Sequence, residues 1–409
     1  MTLPNGVPSD GEYPPENPSA DDSVPFGAQD GAQAVSQTER RAIWLSYLEL
    51  QNLLTVDQAA TQKNLERVFD NVADMGLDTV IVQVRPFADA IYKSSYFPWS
   101  HIITGTQGQD PGYDPLAIMT KLAKDKGLRI EAWVNPYRVK STSTPLSQDS
   151  ALYGWLTGKE DLVITADGQS GAEVLSQALY LNPAKEEART LIVNGAKELA
   201  KNYEIDAIHF DDYFYPTTDA AFDKAAYAAS GSELSLDAWR RENVSKLVQE
   251  VYKAVKSVNP KVEFGISPQG NMDVNFNKQY ADVKTWVKNE GYLDYIMPQV
   301  YYGFKNNLAF DKTAEAWANL TKDSSVKLYL GLAAYKIGKE DQWAGDAGKQ
   351  EWVTDSGDLL KRQIEFARSL EGNTYKGFSL YSYNSLFQPE AAVKEQVAEE
   401  MKNLKTILK

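Results

Sequence analysis

The sequence predicts a (β/α)8 barrel of the α/β class. Short β-branched or aromatic runs alternate with longer amphipathic stretches from Arg41 onward, and about eight such units occupy the body of the 409-residue chain. No Gly-rich phosphate turn follows the first run, which weighs against a doubly wound open sheet, the runner-up architecture. There is no internal sequence repeat.

The strand runs are 42–47 (AIWLSY), 79–85 (TVIVQVR), 129–135 (RIEAWVN), 207–212 (AIHFDD), 262–267 (VEFGIS), 295–301 (YIMPQVY), 327–333 (KLYLGLA) and 377–383 (GFSLYSY). Helical patterns lie between them, for example at 61–75, 184–202 and 239–258, and Gly76, Gly127 and Gly291 fall where helices should stop. Two connections are long, 86–115 and 136–183. Long βα loops at the C-terminal face of a barrel wall a groove, and a groove suits an extended polymer.

Residues 1–40 stand apart from this pattern. They hold six of the 18 prolines and carry seven acids against one base, so −6 of the net charge of −14 sits there and −8 on the rest. With no hydrophobic periodicity, this stretch reads as a disordered acidic tether ahead of a barrel at 41–409. The acidic balance argues against nucleic acid or an anionic membrane as partner. Zero cysteines exclude disulfide frameworks, zinc ribbons, thiol nucleophiles and iron–sulfur clusters, and two histidines are too few for a His-rich zinc site. No apolar run is long enough for a signal peptide or a membrane span. The expectation is a monomeric extracellular or cell-envelope protein whose export signal has been removed. A cytosolic protein with an acidic leader is the alternative.

Strand alternation carries the functional information. In a barrel, one face of each strand meets the helices and the other meets the lumen. Val80/Val82/Val84, Ile130/Ala132/Val134, Ile208/Phe210, Phe264/Ile266, Ile296/Val300 and Leu328/Leu330/Leu332 fit the helix side. The alternate set holds Gln83, Arg85, Glu131, Trp133, Asn135, His209, Asp211, Ser267, Gln269, Gln299, Tyr301, Tyr329, Tyr335, Tyr381 and Tyr383. An ordinary lumen would be filled by Val, Ile and Leu. This one grows more polar toward the C-terminal strand ends, where active sites of the fold sit.

Aromatic faces with amide, hydroxyl, guanidinium and carboxylate groups suit a polyhydroxylated ligand, since rings pack on the C–H faces of sugars. Glycoside cleavage needs a carboxylic acid to protonate the leaving oxygen and a second carboxylate as nucleophile or base, at a separation that decides the stereochemistry. The leading carboxylates are Asp211 and Asp212 in DAIHFDDYFYP, with Tyr213 beside them. Adjacent residues do not readily flank one bond, so a partner acid is expected from another strand: Glu131, or Glu49 and Asp89 after the first two strands. Structural readings stand beside these. The Asp pair could cap a helix or bind Arg, Glu131 could pair with Arg85 or His209, and His209 could be a hydrogen-bonded lumen residue. His101 reads as incidental. The acidic loops lack EF-hand spacing, so no metal and no cofactor is expected.

The segments QVRPFADAIYKSSYFPWS, TGTQGQDPGYDPLA, AWVNPYRV, LNPAKEEAR, IDAIHFDDYFYP, WRRENV, FGISPQGN, DYIMPQVYY and GLAAYKIG resemble the tenth glycosyl-hydrolase-like family of bacterial envelope and secreted proteins. The similarity runs from about Arg41 to about Leu386. It implies a (β/α)8 barrel and a glycosidase acting on peptidoglycan glycan strands of GlcNAc and MurNAc, particularly those stripped of stem peptides. By motif it implies a substrate-contact set of Arg85 and Asp89 (QVRP…DA), Asn135 and Arg138 (NPYR), Asp211 and Asp212 (DDYFYP), and Gln299 and Tyr301 (PQVY). Trp133, His209, Gln269 and Tyr383 from the lumen reading, and Tyr213 beside the Asp pair, join it as substrate-binding candidates. The family commonly has His where this chain has Glu131. Either Glu131 is a carboxylate special to this branch, or the position is not the shared acid. Two competing functions are a barrel that binds envelope glycan without turnover and a hydrolase of another polysaccharide.

Overall fold

A computed structural model describes residues 39–408, except 145, 147, 149–150, 159–160 and 371–373. The acidic leader therefore lies outside the described residues, but for Glu39 and Arg40. Those two belong to the barrel: Arg40 opens the first strand, and Glu39 pairs with Arg368 at 2.7 Å.

The described residues form eleven strands: β1 (Arg40–Leu45), β2 (Thr79–Arg85), β3 (Arg129–Val134), β4 (Arg138–Lys140), β5 (Val163–Ile164), β6 (Leu179–Leu181), β7 (Ala207–Phe210), β8 (Glu263–Ile266), β9 (Tyr295–Ile296), β10 (Lys327–Leu332) and β11 (Tyr375–Leu380). Eight of them close a parallel barrel in the order β1–β11–β10–β9–β8–β7–β3–β2, and all eight predicted strand runs lie in it. Each main helix forms where its caps and apolar stripe allow. Gln58–Met75 starts at Asp57, whose carboxylate accepts from the N–H groups of Ala59 and Ala60, and stops at Gly76. Gly76 needs its missing Cβ twice over, because φ is +86° and a Cβ there would meet the Leu408 carbonyl at 2.9 Å. The expected stop at Gly291 falls elsewhere: the helix Val283–Lys288 ends at Asn289, and Gly291 turns the chain beyond it.

The stretch after β3, read from sequence as loop, contains a three-stranded antiparallel sheet in the order β4–β6–β5. Strands of two or three residues are too short to show periodicity. Among the described residues, no helix is long and apolar enough to cross a membrane.

The helix-facing strand residues named above form one continuous buried core with the helices. The lumen holds a second cluster of Ala42, Trp44, Ile81, Trp133, Ala207, Tyr295, Met297 and Tyr329. Large rings fit there because glycines lie opposite them. A Cβ on Gly265 would come within 2.2 Å of the Tyr295 ring, and one on Gly331 within 2.8 Å of Trp44. Below the rings, at the N-terminal mouth, charges pair: Arg40 with Glu131 (2.9 Å) and with Glu263, and Glu263 with Arg129 (2.9 Å) and Lys327 (2.5 Å).

Candidate active site

At the C-terminal ends of the strands, Trp44, Trp133, Asp211, Asp212, Tyr213, Ser267, Gln299, Tyr301, Tyr335 and Tyr381 line an open cleft. Its rings brace one another. Tyr381 stacks on Tyr301 (centroids 5.9 Å apart, planes at 28°) and meets Trp44 and Trp133 edge-on at 5.9 and 6.5 Å.

Asp211 and Asp212 follow the last residue of β7 and are both buried. Trp133 Nε1 donates to Asp211 Oδ2 at 2.9 Å, and the Tyr213 N–H donates to Oδ1 at 3.1 Å. Asp212 is held by amides instead. Gln299 Nε2 donates to its Oδ1 at 2.8 Å, and Gln269 Nε2 donates to its Oδ2. Gln269 is locked by Asn275, which accepts from its N–H (2.9 Å) and donates to its carbonyl (2.7 Å).

The electrostatics follow from this setting. Burial, then the neighbouring Asp212 carboxylate, pushes the Asp211 carboxyl up to about 8, against the pull of Trp133, Tyr213 and Arg138. Burial raises Asp212 as well, and the Gln299 and Gln269 amides pull it back toward ionisation. Two adjacent buried carboxyls do not both ionise readily, and the amide donors favour the charge on Asp212, which leaves the proton on Asp211.

The other candidates divide. Trp133, Tyr213, Gln299 and Tyr301 line the cleft, and Gln269 supports it through Asp212. Arg138 stands beside Tyr213, its guanidinium carbon 5.4 Å from that ring. Asn135 lies behind, buried, accepting from Gln83 Nε2 at 2.6 Å, and its own Nδ2 has no partner among the described residues.

Six candidates lie away from the cleft wall. Glu131 sits on the lumen floor against Arg40 and accepts from the Tyr295 hydroxyl at 2.8 Å; neither Arg85 nor His209 is its partner. His209 is wholly buried in a relay: Trp44 Nε1 donates to its Nε2 at 3.3 Å, and its Nδ1 lies 2.9 Å from Tyr295 Oη. Burial, aided by Arg40, holds it down to about 3, so it is a neutral imidazole with the proton on Nδ1. Arg85 leaves the expected face because the register with β3 shifts between Gln83 and Arg85, pairing Arg85 with Val134. Its guanidinium donates to the carbonyls of Phe87 and Pro136 at 3.4 and 3.3 Å and stacks on Phe97. Asp89 is buried between His101 Nδ1 (3.1 Å) and Gln107 Nε2 (3.2 Å), so His101 is not incidental. Tyr383 begins the helix Tyr383–Phe387, where strand alternation has ended, and its hydroxyl accepts from Asn71 Nδ2 at 2.7 Å. Glu49, a possible partner acid, accepts from Ser382 Oγ (2.8 Å) and from the Ser46 and Asn384 N–H groups (both 2.6 Å).

Trp44 is the cleft residue that sequence reasoning passed over. The signal was present, since Ala42, Trp44 and Ser46 alternate on one face of the first run.

The family model described as "Glycosyl hydrolase-like 10" matches residues 39–346, a span that includes β1 and both aspartates. The chain belongs to this family. Among its relatives, the glycosyl hydrolase YngK of Bacillus subtilis is 36% identical over 412 residues, covering 93% of this chain and 74% of that protein. The glycosyl hydrolase DigH of Escherichia coli K12 is 30% identical over 385 residues, covering 86% of this chain and 84% of its own. Solved structures share the fold. The glycoside hydrolase domain of PgaB (BpsB) from Bordetella bronchiseptica superposes with a TM-score of 0.55 at 14% identity, covering 88% of this chain and 99% of that one. An endo-1,4-β-mannanase from Rhizomucor miehei gives 0.55 at 10% identity, with 92% and 96% covered. Of the carboxylates named above, Asp211 and Asp212 are those that line the cleft, so the partner acid expected from another strand is not found in its lining among the described residues.

Proposed function

We propose that the protein is a glycoside hydrolase of bacterial cell-wall glycan, cutting GlcNAc/MurNAc strands, and that it acts as a monomer at the cell envelope or outside the cell. The observation that carries the reading is Asp211: a buried carboxyl, protonated near neutral pH, at a strand end in a cleft walled by Trp and Tyr. In this mechanism Asp211 gives its proton to the glycosidic oxygen as the bond breaks. Asp212, fixed by Gln269 and Gln299, keeps a negative charge beside the anomeric centre, where positive charge develops, and water then bonds to the anomeric carbon and gives its proton back to the Asp211 carboxylate. Trp44, Trp133 and Tyr381 supply faces for the sugar C–H surfaces. The wall glycan is the substrate that the motif resemblance implies, and the relatives named above are glycosyl hydrolases of bacteria.

The test is release of reducing ends from purified, peptide-free glycan strands. Asp211→Asn is expected to lose about 100- to 10,000-fold in kcat. Wild-type rates in that variant would remove Asp211 from the chemistry. Binding by the wild-type protein with no product after long incubation would mean a glycan-binding barrel, and cleavage of other polysaccharides alone would relocate the substrate.

A further inference from the structure

Asp211 and Asp212 are consecutive, so both carboxyls rise from one strand end, but they are tied to opposite sides of it. In the barrel order β3–β7–β8–β9, the Trp133 indole holds Asp211 toward β3. The amides of Gln269 and Gln299, just beyond β8 and β9, hold Asp212 the other way. Two carboxyls on one wall do not stand on opposite faces of an anomeric carbon, which a nucleophile–acid pair or a base–acid pair of carboxylates requires. The acids expected to face them are engaged elsewhere. Glu131 pairs with Arg40, Asp89 meets His101 and Gln107, and Glu49 accepts from Ser382 and two backbone N–H groups. Each Asp212 oxygen takes one amide donor and keeps a lone pair, so this carboxylate has room for a further N–H from the cleft. Trp44 and Tyr381, edge-on at 5.9 Å, give the same cleft an apolar corner. An N–H acceptor, an apolar corner and a proton donor in one cleft suit a sugar that carries an acetamido group next to the bond being cut.

We propose that the nucleophile is the 2-acetamido group of the sugar being cleaved, and that Asp212 is the catalytic residue that accepts its N–H and aims its carbonyl oxygen at the anomeric carbon. The proposal rests on the glycan-cleaving reading of the cleft and narrows it to bonds whose anomeric carbon belongs to such a sugar. The acetamido carbonyl oxygen bonds to the anomeric carbon while the bond to the leaving oxygen breaks, and that oxygen takes the Asp211 proton. The oxazolinium so formed keeps its N–H on the Asp212 carboxylate, which balances its charge. Water then bonds to the anomeric carbon, and the electron pair of the ring C–O bond returns to the acetamido carbonyl. The water's proton goes to the Asp211 carboxylate. Each displacement inverts the anomeric carbon, so the product keeps the substrate's configuration. Leaving group and water use the same side, as a single wall with one acid requires.

The experiment uses the full chain with peptide-free glycan oligosaccharides whose acetamido groups are native, mono-, di- or trifluorinated, or stripped to the free amine. Reducing-end release gives kcat and KM, and NMR of the first product gives its anomeric configuration. The thiazoline of N-acetylglucosamine, a stable mimic of the bicyclic intermediate, is the probe for calorimetry. Wild type should retain configuration. Its kcat should fall about 100-fold or more from the native to the trifluorinated substrate, with KM changed little and the free amine uncleaved. Asp212→Ala should bind the thiazoline about 10- to 100-fold more weakly than wild type. The wild-type arms decide the question even where that variant does not fold. Inverted product, a rate indifferent to fluorine, cleavage of the free amine at the native rate, or a glycosyl group trapped on a side chain overturns the inference. Undiminished thiazoline affinity in Asp212→Ala overturns the role of Asp212. With strands still cleaved, each of these outcomes leaves the hydrolase reading standing. No cleavage of any strand removes the hydrolase reading and the nucleophile with it.

Discussion

Trp133 and Asp211 are joined across two neighbouring strands by an indole N–H that reaches the carboxyl at 2.9 Å. The bond favours the ionised carboxylate and so holds down a group that burial drives up. Trp133→Phe keeps the ring and removes the donor. The alkaline limb of the pH–rate profile, set by loss of the Asp211 proton near pH 8, should move higher, and kcat/KM should fall about tenfold through lost positioning. An unmoved limb would detach Trp133 from the acid.

The same raised carboxyl has a stability signature. The folded chain keeps the Asp211 proton up to about pH 8, whereas an unfolded chain releases it near pH 3.9 (about the ordinary Asp value). Between those limits the folded state binds more protons, so wild-type stability declines as pH rises through that window. Asp211→Asn lacks the titration. The stability difference between the two, followed by denaturant unfolding from pH 4 to 8, should drift steadily in favour of the variant. A constant difference would mean that Asp211 ionises normally in the fold.

Gln299 acts on the other member of the pair. Gln299→Leu takes away the 2.8 Å donor to Asp212 Oδ1, so burial goes less opposed and Asp212 holds its proton to higher pH. The acid-side limb of kcat should shift upward, with at least a tenfold loss at pH 6 and partial recovery toward pH 8. Loss that is uniform with pH would assign Gln299 to binding alone.

Glu131 should behave as a structural acid. Glu131→Gln still accepts from Tyr295 but leaves Arg40 with Glu263 as its remaining carboxylate. Denaturation should show a loss of about 1–3 kcal/mol, while kcat in the folded protein stays within about threefold of wild type. A collapse of kcat at unchanged stability would return Glu131 to the chemistry.

The eight barrel strands and the position of the aspartates were readable because alternation survives at strand ends. Val80, Val82 and Val84 face the helices, and Trp133 and Asp211 face the lumen, as the period of two requires. Alternation misleads where the backbone departs from it. The register shift before Arg85 turns that side chain out of the set, and the helix that starts at Tyr383 ends the pattern two residues after Tyr381. Pairings across the barrel were not readable at all. Arg40 meets Glu131 because closure brings β1 and β3 around one lumen, and no local spacing encodes that distance. Arg138 was legible as a family motif, whereas its aromatic bed came from three separate segments, at Tyr47, Phe87 and Tyr213.

The ring layer of Trp44, Tyr295, Met297 and Tyr329, with its glycine recesses, stoppers the barrel between the cleft and the charged mouth at the opposite end. Nothing travels along the axis through such a plug. For the proposed hydrolysis, water and the sugar chain therefore enter through the same opening. In the proposed reaction the departing fragment and the incoming water share that doorway.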